Sequence, residues 1–459
     1  MTKHTNTGNQ ATGNQATEGE PRAAKRGSSP AVRNVLYFDH TARMGGGEIA
    51  LLNLVSALSE RYYPIVVLAS EGPLVDKLRM AGVETWIAPL DETVLETRKD
   101  SLGVGSLLRL RQAVACVRYA FTLARLARRL RADLIHTNSL KADLIGGMAG
   151  RLAGIPVLWH VRDNIDGHYL PPAVAAAFRL LSRVIPQAVV ANSQSTLRTL
   201  RPARRQTTAT VYSGVASGAL AEEWEADGRL QVVHDGYDPH SFGADLGADR
   251  AGDGDAPPVT TGTQVAVLVG RIAGWKGQHV FIRAAALIRA DFPQARFLIV
   301  GAPLFGEHDY ERSLHALAEE LEVTDCVEFL GFRDDVPAIL AEADVVVHAS
   351  ILGEPFGQVI IEGMAAGKPV IATEGGALPE IVVPGETGLL VPMGDAPAMA
   401  EAMAQMLGEP VRAAQMGQAG RRRVQDRFTI ARTVHKMEKV YDYLLDPRTP
   451  VSRGAGGVW

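Results

Sequence analysis

Cysteine is scarce in this 459-residue sequence, and neither charge sign nor a long apolar run dominates it. Its two cysteines, Cys116 and Cys326, lie far apart in the chain. This excludes a disulfide framework and a cysteine-rich zinc site, and it favours a reducing, cytoplasmic setting. The 47 basic and 51 acidic residues nearly balance, which argues against nucleic acid as the main partner. No stretch reaches the roughly 18 apolar residues that a membrane-spanning helix needs.

Composition also shows where a packed core is not expected. Residues 1–30 are rich in Thr, Asn, Gln and Gly, and they repeat the pentapeptide GNQAT. A second polar stretch, 236–263, is rich in Gly, Asp and Pro, as linkers are. We therefore predict a disordered tail at 1–30, a first domain at 31–235, a linker at 236–263 and a second domain at 264–425. A C-terminal helix at 426–446 and a second tail at 447–459 follow.

Both predicted domains alternate short apolar runs with amphipathic helical stretches. Runs of this Val/Ile/Leu type are buried on both faces, as in parallel sheets flanked by helices. The fold class is therefore α/β, with two Rossmann-like, doubly wound domains facing a central cleft, where ligands of such folds bind. The expected strands are 34–38, 65–69, 134–137, 157–160 and 188–191 in the first domain, and 265–269, 297–300, 327–330, 345–348 and 370–372 in the second.

The first glycine cluster, at Gly45 and Gly46, precedes a predicted helix at 49–58. Glycines there allow a ligand to approach the backbone, and free N–H groups at a helix start favour an anion. A flexible turn is the alternative. A dinucleotide-binding loop is less consistent, because six residues separate Phe38 from Gly45, whereas that fingerprint turns directly out of its strand.

Two cations mark the second cluster. Arg271 is expected at the end of a strand and Lys276 at the start of the next helix. Placed together at the carboxyl edge of a sheet, they form a plausible diphosphate clamp. The alternative is that both are ordinary surface charges.

The third cluster contains two glutamates, Glu354 and Glu362, with Gln358 at the start of a helix between them. Backbone N–H groups near Phe356 and Gly357 can bind phosphate, while the carboxylates can accept hydrogen bonds from sugar hydroxyls. Two solvated glutamates beside a turn would be the alternative. Small and apolar neighbours of Glu362 argue against it, because an unpaired carboxylate on a buried helix face is costly.

In this context the sequence resembles retaining glycosyltransferases of family 4, the group 1 glycosyltransferases. The resemblance covers roughly 33–440. Its strongest part is the Glu-x7-Glu block from Gly353 to Glu362, followed by GKPVIA from Gly367 and GALPEI from Gly376. Looser matches are Gly270-Arg271 with Lys276-Gly277, GGGE from Gly45, DLIH from Asp133 and LWH from Leu158.

The resemblance implies a GT-B fold and a nucleoside-diphosphate sugar as co-substrate, with no cofactor. No metal is expected, because two cations already lie at the diphosphate and no Asp-x-Asp cluster with metal-ligand character stands out in either domain. Arg271 and Lys276 would neutralise the diphosphate, Glu362 would bind the ribose and Glu354 the transferred sugar. Amides of Phe356, Gly357 and Gln358, with those of Gly45 and Gly46 across the cleft, would complete the phosphate site. His160 would lie beside the reacting sugar, with a structural histidine at a strand end as the alternative. The C-terminal helix would cross back to the first domain.

These expectations describe a retaining hexosyltransferase that acts by same-face attack, with Glu354 orienting the sugar. A GT-B sugar-nucleotide epimerase and a non-catalytic sugar-nucleotide-binding subunit remain alternatives. The acceptor, which could be a saccharide, a lipid-linked saccharide or a small molecule, is not determined by the sequence.

One helix, predicted at 107–130, carries a stripe of arginines with apolar residues beside it. Such a helix can lie on an anionic membrane surface, which would place a cytoplasmic protein at the inner membrane face. The alternative is a solvated face beside a core face that contains Val114, Val117 and Phe121. The stripe consists of Arg111, Arg118, Arg125 and Arg129.

Overall fold

The computed structural model describes residues 32–90, 106–167, 169–215, 263–303, 306–333 and 335–446, without the side chains of 106–113. The predicted tails, nearly all of the predicted linker and the side chain of Arg111 lie outside these residues. Within the described ranges, no helix combines the length and apolar character that crossing a bilayer requires.

The first domain contains a parallel sheet of seven strands in the order β3-β2-β1-β4-β5-β6-β7. Its strands are β1 (Arg33–Asp39), β2 (Tyr62–Leu68), β3 (Glu84–Ile87), β4 (Leu134–Thr137), β5 (Val157–Val161), β6 (Ala188–Ala191) and β7 (Thr208–Thr210). Its helices include α1 (Gly46–Ser56), α2 (Pro73–Met80), α3 (Ser106–Arg129), α4 (Leu140–Ala153), α5 (Pro172–Ser182) and α6 (Gln194–Leu200).

The second domain repeats this plan with six parallel strands in the order β10-β9-β8-β11-β12-β13. The strands are β8 (Val265–Val269), β9 (Arg296–Val300), β10 (Val327–Gly331), β11 (Val345–His348), β12 (Val370–Thr373) and β13 (Leu389–Val391). The helices are α7 (Gln278–Ile288), α8 (His308–Glu320), α9 (Val336–Glu342), α10 (Gln358–Ala365), α11 (Leu378–Ile381), α12 (Ala396–Gly408), α13 (Pro410–Arg427) and α14 (Ile430–Leu445). Two doubly wound parallel-sheet domains, the predicted fold class, are thus confirmed.

The ten predicted strands are all present, with ends that shift by up to three residues, whereas three further strands were missed. The missed strands, β3, β7 and β13, are at the edges of their sheets. β3 is only half-buried and β7 has the sequence Thr-Ala-Thr, so neither carries the apolar run that identifies a central strand.

The C-terminal helix α14 packs on the first domain, although it follows the second domain in the chain. Its apolar face contributes Val434, Met437 and Tyr441 to the core that covers one face of the first sheet. Inside that core, the hydroxyl groups of Tyr37 and Tyr441 are 2.7 Å apart. The first domain therefore completes its core with residues from the far end of the chain.

The arginine-bearing helix α3 has a different core face from the one predicted. Val114, Val117 and Phe121 are 50%, 41% and 45% exposed, so the interpretation that they form a core face is wrong. The buried residues of α3 lie on another side of the helix, because Ala and Leu side chains there pack against the sheet and α4. They are Tyr119, Ala120, Leu123, Ala124 and Ala127.

Candidate active site

The carboxyl ends of the two sheets face each other across a cleft, and the loops that follow the strands make contact. Asn164, just after β5, donates from its side-chain amide to the carbonyl oxygen of Gly353 over 2.7 Å. Ser193, just after β6, donates through its hydroxyl to the carbonyl oxygen of Pro355, also over 2.7 Å. The loop that carries Glu354 is therefore held against the first domain on both sides.

A second contact between the domains centres on Glu380 of α11. Its carboxylate accepts from the backbone N–H groups of Gln194 and Ser195, over 2.9 and 2.6 Å, at the start of α6. The hydroxyl of Tyr212 donates to the same carboxylate over 3.0 Å. Sequence reasoning gave Glu380 no role, although it lies in the GALPEI motif. Its function as a bridge depends on a partner helix almost two hundred residues away.

The two predicted cations lie on the loop after β8, but not at the element ends that the sequence predicted. β8 ends at Val269, two residues before Arg271, and Lys276 ends a short 3-10 helix instead of starting α7. Gly277 has a φ of 73°, and a Cβ there would lie 1.9 Å from the carbonyl oxygen of Ala349. Only glycine allows this close approach, which brings the lysine to the loop after β11.

Lys276 and Glu354 form an ion pair at this edge of the sheet, with Nζ 2.8 Å from Oε2. The side chains of His348 and Ser350 also lie within hydrogen-bond distance of this oxygen, at 3.2 Å each. Burial alone would raise the pKa of Glu354, but the Lys276 ammonium and the His348 hydrogen bond hold that pKa well below its usual range. Glu354 is therefore ionised at neutral pH.

The backbone of Glu354 is fixed by a second glycine. Gly376 has a φ of 61°, and a Cβ there would lie 2.0 Å from the Glu354 carbonyl oxygen. That oxygen also accepts from the N–H group of Ala377 over 2.8 Å. The loops after β11 and β12 thus contact each other through their backbones. This contact fixes the backbone from which the Glu354 side chain extends.

Glu362 lies on α10, which begins at Gln358 as predicted. The Gln358 side-chain amide donates to Glu362 Oε1 over 3.1 Å. Burial raises the pKa of Glu362 to about 7, although the Gln358 hydrogen bond opposes this shift. The two glutamates of the block therefore differ in charge: Glu354 is fully ionised, and Glu362 titrates near neutral pH.

Two residues between the glutamates, Phe356 and Gly357, lead into the start of α10. The Phe356 ring is 6% exposed and stacks on Tyr212 of the first domain, with ring centroids 6.2 Å apart. Gly357 caps α10 with a φ of 102°. Because the first N–H groups of a helix have no intrahelical acceptor, the start of α10 at Gln358 can bind an anion.

Across the cleft, Gly45 caps α1 and Gly46 is its first residue. A Cβ on Gly45 would lie 2.8 Å from a carboxylate oxygen of Glu48, whereas a Cβ on Gly46 would meet no atom within 4 Å. Burial, with the nearby charge of Asp39, raises the pKa of Glu48 to about 8. A mostly protonated side chain therefore lies at this helix start, and the space at Gly46 is open.

His160 is the next-to-last residue of β5 and is buried. Its Nδ1 is 3.1 Å from His136 Nε2 and 3.3 Å from an Arg162 guanidinium nitrogen. Its Nε2 is buried and has no hydrogen-bond partner among the described residues.

Four residues of the site were not predicted, namely His136, Arg162, His348 and Ser350. Each lies at a strand end, but only the packed sheet shows which strand ends are neighbours.

Two family models match the chain. The model "Glycosyltransferase Family 4" matches residues 44–218, and "Glycosyl transferases group 1" matches residues 255–423. The first match falls on the first domain and the second on the second domain.

Curated relatives match over part of their length. The D-inositol 3-phosphate glycosyltransferase of Corynebacterium aurimucosum is 35% identical over 48% of this chain and 53% of the relative. A GDP-mannose-dependent α-(1-6)-phosphatidylinositol monomannoside mannosyltransferase of Mycolicibacterium smegmatis is 32% identical over 46% of this chain and 56% of the relative. The chain thus spans about half the length of the curated relatives it matches.

Solved structures match over both domains. HepE of Anabaena, in complex with UDP and glucose, has a TM-score of 0.72 and 25% identity, covering 90% of this chain and all of that chain. Sucrose-phosphate synthase of Thermosynechococcus elongatus shares the fold, with a TM-score of 0.66 and 20% identity over 90% of this chain and all of that chain. By both family models and by its two-domain fold, the chain belongs to the group 1 glycosyltransferases of the GT-B class, with a family 4 first domain.

Proposed function

We propose that the protein transfers a hexose from a nucleoside-diphosphate sugar to an acceptor hydroxyl, with retention of anomeric configuration. The observation that carries this proposal is the Lys276–Glu354 ion pair at the carboxyl edge of the second sheet. A cation that can bind a diphosphate thus lies beside an acid that can bind sugar hydroxyls. Membership of the glycosyltransferase family and the UDP and glucose bound by HepE support the same function.

Each site residue has a role that its chemistry allows. Arg271 and Lys276 neutralise the diphosphate, together with N–H groups at the start of α10 and at Gly45 and Gly46. Glu354 accepts hydrogen bonds from the transferred sugar. Glu362 accepts them from the ribose when it is ionised.

The reaction breaks the bond between the sugar and the diphosphate, so charge develops on the leaving phosphate oxygen. Lys276 and Arg271 stabilise that charge in place of a metal ion. The acceptor oxygen attacks from the face that the phosphate leaves, and the departing phosphate oxygen takes the acceptor's proton. Glu354 Oε2 is already held by Lys276, His348 and Ser350, which favours orientation of the sugar over covalent attack.

Lys276→Ala tests the donor site. Thermal shift with UDP-, GDP- and ADP-sugars first identifies the donor, and turnover is then measured with EDTA present. We expect Lys276→Ala to lower turnover about 100- to 1,000-fold, because it removes charge stabilisation at the leaving group. Arg296→Ala is the matched control, because it also breaks an ion pair with a glutamate, at the amino end of β9. Full turnover in Lys276→Ala, or turnover that requires a metal, would contradict the proposed site.

Donor binding should depend on pH through Glu362. Its pKa of about 7 means that raising the pH from 6 to 8 converts most of the group to the carboxylate that accepts the ribose hydroxyls. We therefore expect calorimetry to show donor affinity increasing by up to about tenfold over this range. Glu362→Gln should remove this increase and leave only the decrease expected from deprotonation of Glu48, whose pKa is about 8 and whose charge would repel the diphosphate. Glu401→Gln, an exposed change on α12, should keep the wild-type profile. The same pH profile in Glu362→Gln and in the wild-type protein would show that Glu362 does not bind the donor.

Same-face attack predicts that no covalent sugar accumulates on the enzyme. Mass spectrometry of the intact protein, quenched during turnover with a slow fluorinated donor, should show unmodified Glu354. NMR of the product should show the anomeric configuration of the donor. A glycosyl adduct on Glu354 would establish double displacement instead, and an inverted product would exclude retention.

We further propose that α3 contacts an anionic membrane surface, which suits a lipid-linked acceptor. Its outer face presents exposed Val114, Val117 and Phe121 beside exposed arginines at 118, 125 and 129. Exposed apolar side chains among cations are typical of helices that lie in the membrane interface. Charge complementarity favours anionic over neutral lipid.

Vesicle flotation tests this contact. Wild-type protein should float with phosphatidylglycerol vesicles and remain below neutral phosphatidylcholine vesicles, and salt should release it. Phe121→Asp should reduce flotation severalfold, because it removes an apolar contact and adds a repelled charge. Leu287→Asp, at an exposed apolar residue of α7, should not. Equal flotation of the two variants would place the contact elsewhere.

A further inference from the structure

A chain of buried polar side chains runs through the first domain from α14 to His160. The Tyr441 hydroxyl lies 2.7 Å from His136 Nδ1, and His136 Nε2 lies 3.1 Å from His160 Nδ1. On the other side, the Tyr37 hydroxyl lies 2.7 Å from that of Tyr441. Tyr441, His136 and His160, here called the relay, are each at most 1% exposed.

Burial keeps the members of the relay uncharged. It lowers the pKa values of His136 and His160 well below their usual range and raises that of Tyr441 well above it. Burial also lowers the pKa of Arg162, to about 10, which leaves this guanidinium charged at neutral pH. Each neutral imidazole therefore has one N–H donor and one acceptor nitrogen.

Arg162 and Tyr441, at the two ends of the relay, together set the direction of its hydrogen bonds. A guanidinium only donates, so His160 Nδ1, 3.3 Å from Arg162 Nη2, is the acceptor nitrogen of its ring while this contact is made. His136 then donates to the same atom from Nε2, which makes His136 Nδ1 an acceptor. The neighbouring group is the Tyr441 hydroxyl, which can donate to it.

This assignment places the proton of His160 on Nε2. That nitrogen is buried and has no hydrogen-bond partner among the described residues. His160 lies at the carboxyl end of β5, and Asn164, four residues later, contacts the loop that carries Glu354. An unpaired buried N–H group is costly, so an oxygen atom of a bound ligand is its natural acceptor.

We propose that Tyr441 is a positioning residue that holds His160 as its Nε2–H tautomer, so that His160 donates a hydrogen bond to an oxygen of the sugar undergoing transfer. The identity of the ligand rests on the proposed function, whereas the tautomer rests on the relay alone. The C-terminal helix thereby acts on the reaction from behind the sheet, without contacting the substrate.

The tautomer can be measured without any activity assay. Long-range ¹H–¹⁵N correlation spectra of the full chain labelled with ¹⁵N-histidine distinguish protonated from bare ring nitrogens. The His160 signals are identified by their loss in His160→Gln. We expect a protonated Nε2 and a bare Nδ1 in the wild-type protein. A proton on Nδ1 would overturn the proposal, whether or not the Tyr441 variant folds.

Tyr441→Phe then tests the positioning role. Removing the hydroxyl leaves His136 Nδ1 without its donor, so His136 can take its Nδ1–H tautomer and present a bare Nε2 to His160. A proton on His160 Nδ1 would then donate to that nitrogen in competition with the Arg162 contact, so the His160 spectrum should show a mixture. With the donor found above, we expect kcat to fall about tenfold, equivalent to about 1.4 kcal/mol, while KM changes less than twofold. Circular dichroism melting monitors the fold of each variant.

Tyr62→Phe is the matched control. It also removes a buried tyrosine hydroxyl at the interface between the sheet and α14, but that hydroxyl donates to Asp442 and lies outside the relay. It should leave both the tautomer and kcat unchanged. A Tyr441→Phe protein with the wild-type tautomer, or one with a mixture but full kcat, would overturn the proposal. Failure of every donor in the wild-type enzyme would instead contradict the proposed function, with the tautomer result still standing.

Discussion

The candidate site depends on one buried carboxylate that must stay ionised. Glu354 is removed from water, and an uncompensated buried charge costs about 3–5 kcal/mol. Lys276, His348 and Ser350 compensate it, and two glycines make their approach possible: Gly277 beside β11 and Gly376 beside Glu354 itself. The loops after β8, β11 and β12 therefore form one unit. In the proposed function, Lys276 and Glu354 are therefore in position before the nucleoside-diphosphate sugar binds.

The contacts between the domains extend this constraint across the cleft. Asn164 and Ser193 hold the backbone on both sides of Glu354, and Glu380 accepts hydrogen bonds at the start of α6. Helix α14 follows the second domain in the chain but packs on the first domain, where the Tyr441 hydroxyl lies next to His136. The two halves of the chain are consequently joined by polar contacts at the site, and α14 packs in the apolar core of the first domain. Motion of the second domain relative to the first would have to change the polar contacts.

Sequence patterns were reliable where one physical cause acts on a continuous stretch. Strands buried on both faces need runs of Val, Ile and Leu, and the ten predicted strands are present. Edge strands β3 and β7 lack such runs and were missed. Edge strand β13 was also missed, because its apolar run Leu-Leu-Val is only three residues long. On α3 the apolar residues Val114, Val117 and Phe121 were placed in a core face, yet they are exposed, because small residues such as Ala120 and Ala124 fill the tight contact with α4. Periodicity alone does not show which of two apolar faces meets the sheet.

Local composition and spacing were enough to predict the α/β class, the two domains and the motifs that carry the family resemblance. Which side chains meet became visible in the folded chain. The partners of Glu354 come from the loop after β8, from the end of β11 and its loop, and from the loop after β12. One partner of His136 comes from α14, about three hundred residues away. The charges of the two glutamates also depend on the fold, since burial raises the pKa of Glu362 to about 7 while Lys276 keeps Glu354 ionised. Hydrogen bonds and pKa values depend on distances in space, which chain positions do not contain.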